Sequence, residues 1–131
     1  MLWVVKQKLA AKHGFLDALL PLGPLADSTI PRGDFHRDDA QKPVPKHDST
    51  LTTQLITTST KIQPCHTSPA DACDAIVQAD GHLTGGENFC GLWQSFAERG
   101  RSLDTVVGGK TVWDGGVRTD DFKVPSPMWP Y

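Results

Sequence analysis

The sequence predicts a mainly β fold of the sandwich or jelly-roll kind, with one or two short helices. Ten prolines and twelve glycines among 131 residues indicate many turns and short strands. The run STLTTQLITTSTKI, residues 49–62, is rich in β-branched residues and contains neither glycine nor proline, which favours a strand. Residues 105–116, TVVGGKTVWDGG, place two valine-containing runs around a Gly-Gly pair, a pattern typical of a hairpin.

The other elements follow from spacing and from the positions of proline. Apolar residues three and four apart predict a helix over residues 2–20, ended by Pro21 and Pro24. Residues 73–79, CDAIVQA, are expected to form a short apolar strand, and residues 89–100 a strand or a short helix. The chain is predicted to be one domain over residues 1–131, with a helix and linker (1–24), a core (25–104), and a hairpin with a proline-rich tail (105–131).

Charge and cysteine content exclude several classes of protein. The formal net charge is -2 and no basic stripe runs along the chain, so neither nucleic acid nor a membrane surface is an expected partner. No apolar run approaches the roughly 20 residues that a spanning helix needs, and no convincing signal peptide is visible. Three cysteines without a C-x-x-C pair fit neither a disulfide framework nor a structural zinc site. A cytoplasmic protein is the expectation.

The segment DFHRDD, residues 34–39, is the strongest candidate for chemistry. In a strand, His36 and Asp38 would point to the same side, because side chains alternate with a period of two. Two histidines and one carboxylate form the facial set of non-haem Fe(II) oxygenases, and His82 is the best candidate for the second histidine. The alternative is a solvated turn in which Arg37 pairs with a neighbouring acid, an interaction that contributes about 0–1 kcal/mol.

Three segments in order resemble the phytanoyl-CoA dioxygenase family, in particular its fungal biosynthetic branch. GDFHRDD resembles the metal-binding stretch of that family, and DSTLTTQLITTSTK resembles the strand that follows it. DAIVQADGHLTGGEN resembles the segment with the distal histidine. Beyond these three, FAERGRSLD bears a fainter resemblance to the exit from the last core strand. The resemblance implies a partial double-stranded β-helix in a shortened member of that family.

The resemblance also implies a chemistry. His36, Asp38 and His82 would hold Fe(II), and Arg99 or Arg101 would bind the distal carboxylate of 2-oxoglutarate. The expected reaction is hydroxylation, desaturation or rearrangement of a small apolar secondary metabolite such as a terpenoid or alkaloid. A non-catalytic, shortened β domain that binds a partner is the alternative function, and a homodimer is possible.

Overall fold

The structure, a computed structural model, describes residues 1–15, 36–37, 44–102, 106–107 and 118–124. Four helices make up most of these residues. The helices are α1 (Leu2–His13), α2 (Asp48–Ile62), α3 (Pro69–Thr84) and α4 (Phe89–Ala97). The strands β1 (Val106–Val107) and β2 (Arg118–Thr119) pair antiparallel, and an isolated bridge joins His36 to Pro45. The prediction of a mainly β jelly roll or double-stranded β-helix is therefore wrong.

The threonine-rich run predicted as a strand forms α2. Its hydroxyls bond back to carbonyls of the preceding turn: Thr53 Oγ1 donates to Ser49 O at 2.9 Å, and Thr57 Oγ1 donates to Thr53 O at 2.8 Å. Such bonds satisfy the hydroxyls inside the helix, at a slight cost in helix stability, instead of drawing the backbone into a non-helical turn. Leu51 and Leu55, four residues apart, are both buried on one face. Burial of that face outweighs the β propensity of the individual residues.

The predicted strand CDAIVQA is the middle of α3. The helix begins with a capping box, in which Ser68 Oγ accepts from the backbone N–H of Asp71 and the Asp71 carboxylate accepts from the backbone N–H of Ser68. Pro69 occupies the first helical position, where its fixed φ angle suits a helix. The helix ends at Gly85, which adopts the left-handed conformation with φ 75°.

The remaining helices agree better with the sequence pattern. The helix predicted over residues 2–20 is present as α1, and residues 16–20 lie outside the described part of the chain. The alternative of strand or helix over residues 89–100 is decided for a helix, because Leu92, Trp93 and Phe96 share one buried face of α4. None of the described helices is long and apolar enough to cross a bilayer.

The helices pack in the cyclic order α1, α2, α3, α4 and back to α1, with α2 against α3 the most extensive pair. The core between them contains side chains from all four helices: Val5, Leu9, Leu51, Leu55, Cys73, Ile76, Ala79, Leu92, Trp93 and Phe96. Trp93 and Phe96 meet edge to face, with ring centroids 6.0 Å apart. Every helix contributes to one continuous core, so the four helices form a single packed unit.

A second contact ties the β2 region to the end of α4. The N–H of Asp121 donates to Gly100 O at 3.1 Å, and Gly100 has a φ of 75°. A Cβ on Gly100 would lie 2.9 Å from Cγ of Asp120, so the close approach of these two segments favours glycine. β1 pairs with β2. Of the predicted hairpin over residues 105–116, residues 105 and 108–116 lie outside the described residues, as do residues 125–131 of the tail. The division into segments at residues 24 and 104 stays a prediction.

Replacement of Gly100 by alanine should destabilise the protein more than the same change at Gly85. Both residues have a φ of 75°, but nothing lies within 4 Å of a Cβ on Gly85. We expect Gly85→Ala to cost about 1 kcal/mol of unfolding free energy from backbone strain alone. Gly100→Ala should cost about 2–3 kcal/mol, because the contact with Asp120 adds to that strain. Urea unfolding of both variants measures the difference, and equal losses would contradict the close approach.

Candidate functional site

A cluster of polar side chains, which we call the polar corner, joins α1 to the turn between α3 and α4. Its members come from three separate parts of the chain: His13, Arg37, Asp80, Thr84, Glu87 and Asn88. The turn exists because α3 ends in two glycines with positive φ, Gly85 at 75° and Gly86 at 84°. These glycines reverse the chain within a few residues and bring Asn88 back beside the last turn of α3.

Asp80 is the centre of the polar corner and is completely buried. Its Oδ2 accepts from the backbone N–H of Asn88 at 2.9 Å, and its Oδ1 accepts from Asn88 Nδ2 at 2.8 Å. Thr84 Oγ1 donates to Oδ1 at 2.7 Å. A buried carboxyl group without partners would destabilise the fold strongly, whereas three donors at these distances compensate for its loss of hydration. Asp80 thus fixes the start of α4 relative to the end of α3.

Asn88 extends the hydrogen bonds of Asp80 to α1. Because its Nδ2 donates to Asp80, its Oδ1 is the acceptor that faces His13 Nε2, 2.6 Å away. The His13 tautomer with a proton on Nε2 therefore fits, and its Nδ1 then accepts from Arg37 Nη2 at 3.3 Å. One chain of hydrogen bonds connects Arg37, His13, Asn88 and Asp80, so three helices and the segment around Arg37 meet in a single network.

Glu87 closes the outer side of the polar corner. Its carboxylate pairs with Arg37 Nη1 and lies 3.6 Å from Lys12 Nζ, which also donates to Glu87 O. Burial disfavours the charged form of Glu87, but the hydrogen bond from Arg37 and the charges of Arg37 and Lys12 outweigh it. The net result is a pKa of Glu87 below its ordinary value. The polar corner can therefore hold the helices together. Each hydrogen bond and ion pair described in it joins two residues of this chain.

The predicted iron ligands do not form a recognisable site in the described structure. His36 is half-buried in the bridge with Pro45, and Asp38 lies outside the described residues. His82 is exposed on the last turn of α3, because residues two apart on a helix point to opposite sides and Asp80 faces inward. Among the described residues, no group of three or more His, Cys, Asp or Glu side chains could hold a metal ion.

The two arginines predicted to bind 2-oxoglutarate occupy different environments. Arg101 is buried, its Nη2 donates to both carboxylate oxygens of Asp74 at 3.1 Å, and its guanidinium lies 5.9 Å from the centre of the Trp93 ring. Arg99 is exposed beside the end of α4. One guanidinium nitrogen that donates to both oxygens of a carboxylate, with the cation close to an aromatic ring, is a typical structural role for arginine. Arg101 therefore links α3, α4 and the segment that follows α4.

Sequence reasoning missed the residues that the fold brings together in the polar corner. Asp80 and Asn88 are the first and last residues of the segment DGHLTGGEN, whose pattern predicts a metal-binding histidine. Two signals could have identified a helix there: the capping box Ser68–Asp71 at its start, and the Gly-Gly pair after Thr84 at its end. A helix between these two signals places Asp80 near its end, where its carboxylate can accept hydrogen bonds from the start of the next helix.

Comparison with known proteins points to a different family from the one that the sequence segments suggested. A profile of the fungalysin metallopeptidase (M36) family matches residues 1–104. The extracellular metalloproteinase MEP of Leptosphaeria maculans is 35% identical over 125 residues, which are 95% of this chain and 16% of that protein. An extracellular metalloproteinase of Pyrenophora tritici-repentis is 41% identical over 83 residues, which are 63% of this chain and 12% of that protein. The chain thus spans about a sixth of the length of the curated relatives it matches.

These similarities correct several predictions. The resemblance to phytanoyl-CoA dioxygenases is wrong, and with it the assignment as a dioxygenase that oxidises a secondary metabolite. Fe(II) and 2-oxoglutarate are likewise wrong, since fungalysin metallopeptidases use zinc. The site roles predicted for His36, Asp38, His82, Arg99 and Arg101 are not tested by these similarities and stay predictions, without the iron and 2-oxoglutarate that they were expected to bind. The cytoplasmic location is contradicted by relatives that are named extracellular. A small-molecule substrate and a homodimer stay predictions.

Asp80→Asn should destabilise the protein by about 2–3 kcal/mol, because it places an amide donor against the donors of Asn88 or Thr84 in a buried site. Asp74→Asn is the matched control on the same helix. The side chain of Asp74 is 47% exposed, and the amide oxygen of asparagine can still accept a hydrogen bond from the buried Arg101, so the change should cost about 1 kcal/mol. Chemical denaturation measures both changes. A loss at Asp80 no larger than that at Asp74 would show that the polar corner is not the joint described above.

Acidification should remove the contribution of Glu87 to stability. Its pKa is lowered in the folded protein, so the contribution is complete above the ordinary pKa of 4.5 and is lost as the pH falls through the folded pKa. The side chain is 36% exposed, and screening by water limits the effect to about 1 kcal/mol. Wild type and Glu87→Gln should therefore differ in unfolding free energy at pH 6, and the difference should shrink as the pH falls through the lowered pKa of Glu87. Asp71, whose pKa is also lowered, titrates in both proteins and cancels from the comparison.

Proposed function

Because this chain belongs to the fungalysin (M36) metallopeptidase family, we propose that it forms a helical part of an extracellular metallopeptidase. The observation that carries the proposal is the extent of the family match, which covers residues 1–104 and therefore all four helices together with the polar corner. The relatives that match 95% of the chain are named extracellular metalloproteinases. In this reading the four helices form a structural unit within a larger hydrolase.

The residues of this chain do not fit the zinc centre that the family uses. Zinc in many metallopeptidases is held by the motif H-E-x-x-H, in which two histidines four residues apart share one helix face. The five histidines at positions 13, 36, 47, 66 and 82 do not include such a pair, and none of them precedes a glutamate. The described residues also contain no other cluster suited to a metal ion. We therefore assign no step of peptide hydrolysis to this chain and place the zinc outside it.

The structural role rests on two features of the fold. The continuous core makes the four helices one body, and the polar corner locks α1 against the turn between α3 and α4. A peptidase needs rigid elements behind its active site, because small displacements of catalytic groups slow the reaction steeply. A helix cluster with a buried, fully bonded polar joint supplies that rigidity.

A segment exchange tests the proposal. The aligned segment of the Leptosphaeria maculans relative is replaced by residues 1–131 of this chain, and the chimera is assayed for hydrolysis of a protein substrate with and without a zinc chelator. We expect activity that the chelator abolishes and that lies within about tenfold of the unmodified relative, equivalent to about 1.4 kcal/mol in the activation barrier. The isolated chain supplied with zinc should show none.

The control is a chimera with Leu55→Asp, which places a carboxylate in the core where Leu55 is 1% exposed. It should be neither folded nor active, which ties the activity of the parent chimera to the helix cluster. A parent chimera that is secreted and folded but inactive would contradict the proposed function. Zinc-dependent hydrolysis by the isolated chain would contradict the placement of the metal.

A further inference from the structure

The first turn of α1 is apolar on every side. Leu2, Trp3, Val4 and Val5 occupy four successive positions, which together cover the full circumference of a helix. Only Val4 and Val5 of these face the core, where they are 7% and 2% exposed. The inner half of this turn is covered by the other helices, whereas Leu2 and Trp3 on its outer half are exposed. The outer side of α1 therefore lacks a cover within the described chain.

That outer side, which we call the α1 outer face, consists of Leu2, Trp3, Lys6 and Phe15. Trp3 and Phe15 are 64% and 63% exposed, and Leu2 is 45% exposed. Lys6 Nζ lies 5.8 Å from the centre of the Trp3 ring and 5.4 Å from that of Phe15. The two aromatic rings hold the ammonium group between them, which orders the face and lowers the cost of covering its one charge.

Large aromatic side chains in such positions are characteristic of protein interfaces. Tryptophan is among the residues that most often dominate binding energy, and it does so when the contact removes it from water. A second exposed aromatic residue, Phe122, lies elsewhere and lines a groove of about 420 Å³ with Lys8, Gln94 and Val124. Phe122 falls outside the residues that the family profile matches, whereas the whole α1 outer face falls within them.

We propose that the α1 outer face packs against the zinc-bearing part of a fungalysin-type metallopeptidase, an inference that rests on the proposed function. The curated relatives are about six times longer than the segment they share with this chain, so most of each relative is available to cover this face. The covering surface is apolar opposite Leu2, Trp3 and Phe15. It presents a carboxylate or carbonyl oxygen to Lys6, because the ammonium group needs an acceptor once water is displaced.

The test compares Trp3→Glu with Phe122→Glu in the chimera with the Leptosphaeria maculans relative. Both side chains are 64% exposed in this chain, so exposure is matched. Trp3→Glu should lower the secreted, folded yield of the chimera at least about tenfold, since a desolvated tryptophan in an interface is a typical hot spot. Phe122→Glu should leave that yield unchanged. Equal yields from the Trp3 variant and the parent chimera would overturn the proposal.

Hydroxyl-radical footprinting supplies a second readout that does not depend on activity. The oxidation rate of the Trp3 indole should fall at least fivefold from the isolated chain to the chimera, while Phe122 reacts equally in both. An inactive chimera with a protected Trp3 would refute the proposed function and uphold the interface. An active chimera with a fully reactive Trp3 would uphold the proposed function and refute the interface. If the isolated chain is a dimer that Trp3→Glu converts to a monomer, the face belongs to a second copy and the proposal fails.

Discussion

The burial of one carboxyl group, that of Asp80, constrains most of the fold. A carboxyl group with no exposed surface must receive hydrogen bonds, and it takes two from Asn88 and one from Thr84. These bonds fix where α4 begins and which way the Asn88 amide points. The amide orientation in turn makes its oxygen the acceptor for His13, which determines how α1 lies against the other helices. Core packing supplies most of the free energy, whereas Asp80 selects one arrangement among several that would bury similar apolar area.

α1 has a different environment on each side. Its inner side contributes Val5 and Leu9 to the core, and its last turn enters the polar corner through His13. Its outer side carries the exposed aromatic residues of the α1 outer face. If the α1 outer face packs as proposed, α1 would connect its own helix cluster to the zinc-bearing part of the peptidase.

Sequence reasoning predicted part of this fold and almost none of the candidate site. The apolar spacing in residues 2–13 and 89–97 was sufficient for α1 and for one of the two alternatives at α4. It failed at α2 because threonine has a high strand propensity, and nothing in a single sequence shows whether its hydroxyls will bond back to the helix, as those of Thr53 and Thr57 do.

The candidate site was missed for a related reason. The spacing of His36 and Asp38 predicts a metal site only if they lie on a strand, and the order of three short segments resembles a family that the comparisons contradict. Asp80 and Asn88 become partners only once two glycines have reversed the chain, which spacing along the sequence does not reveal. The capping box at Ser68 was the local signal that could have changed the assignment of the following segment.

The low number of charged residues on α2 affects how the protein responds to ionic strength. The solvent face of α2 is nearly uncharged: threonines and one glutamine occupy most of it, and Lys61 is its one cation. Salt therefore has almost no ion pairs to screen on this helix. The ion pairs that flank α1, Lys8 with Glu98 and Lys12 with Glu87, are partly exposed and open to screening. Dissolved salt would loosen the side of the molecule where α1 meets α4 while it leaves the pair of α2 and α3 intact, so the two halves of one core differ in their sensitivity to the medium.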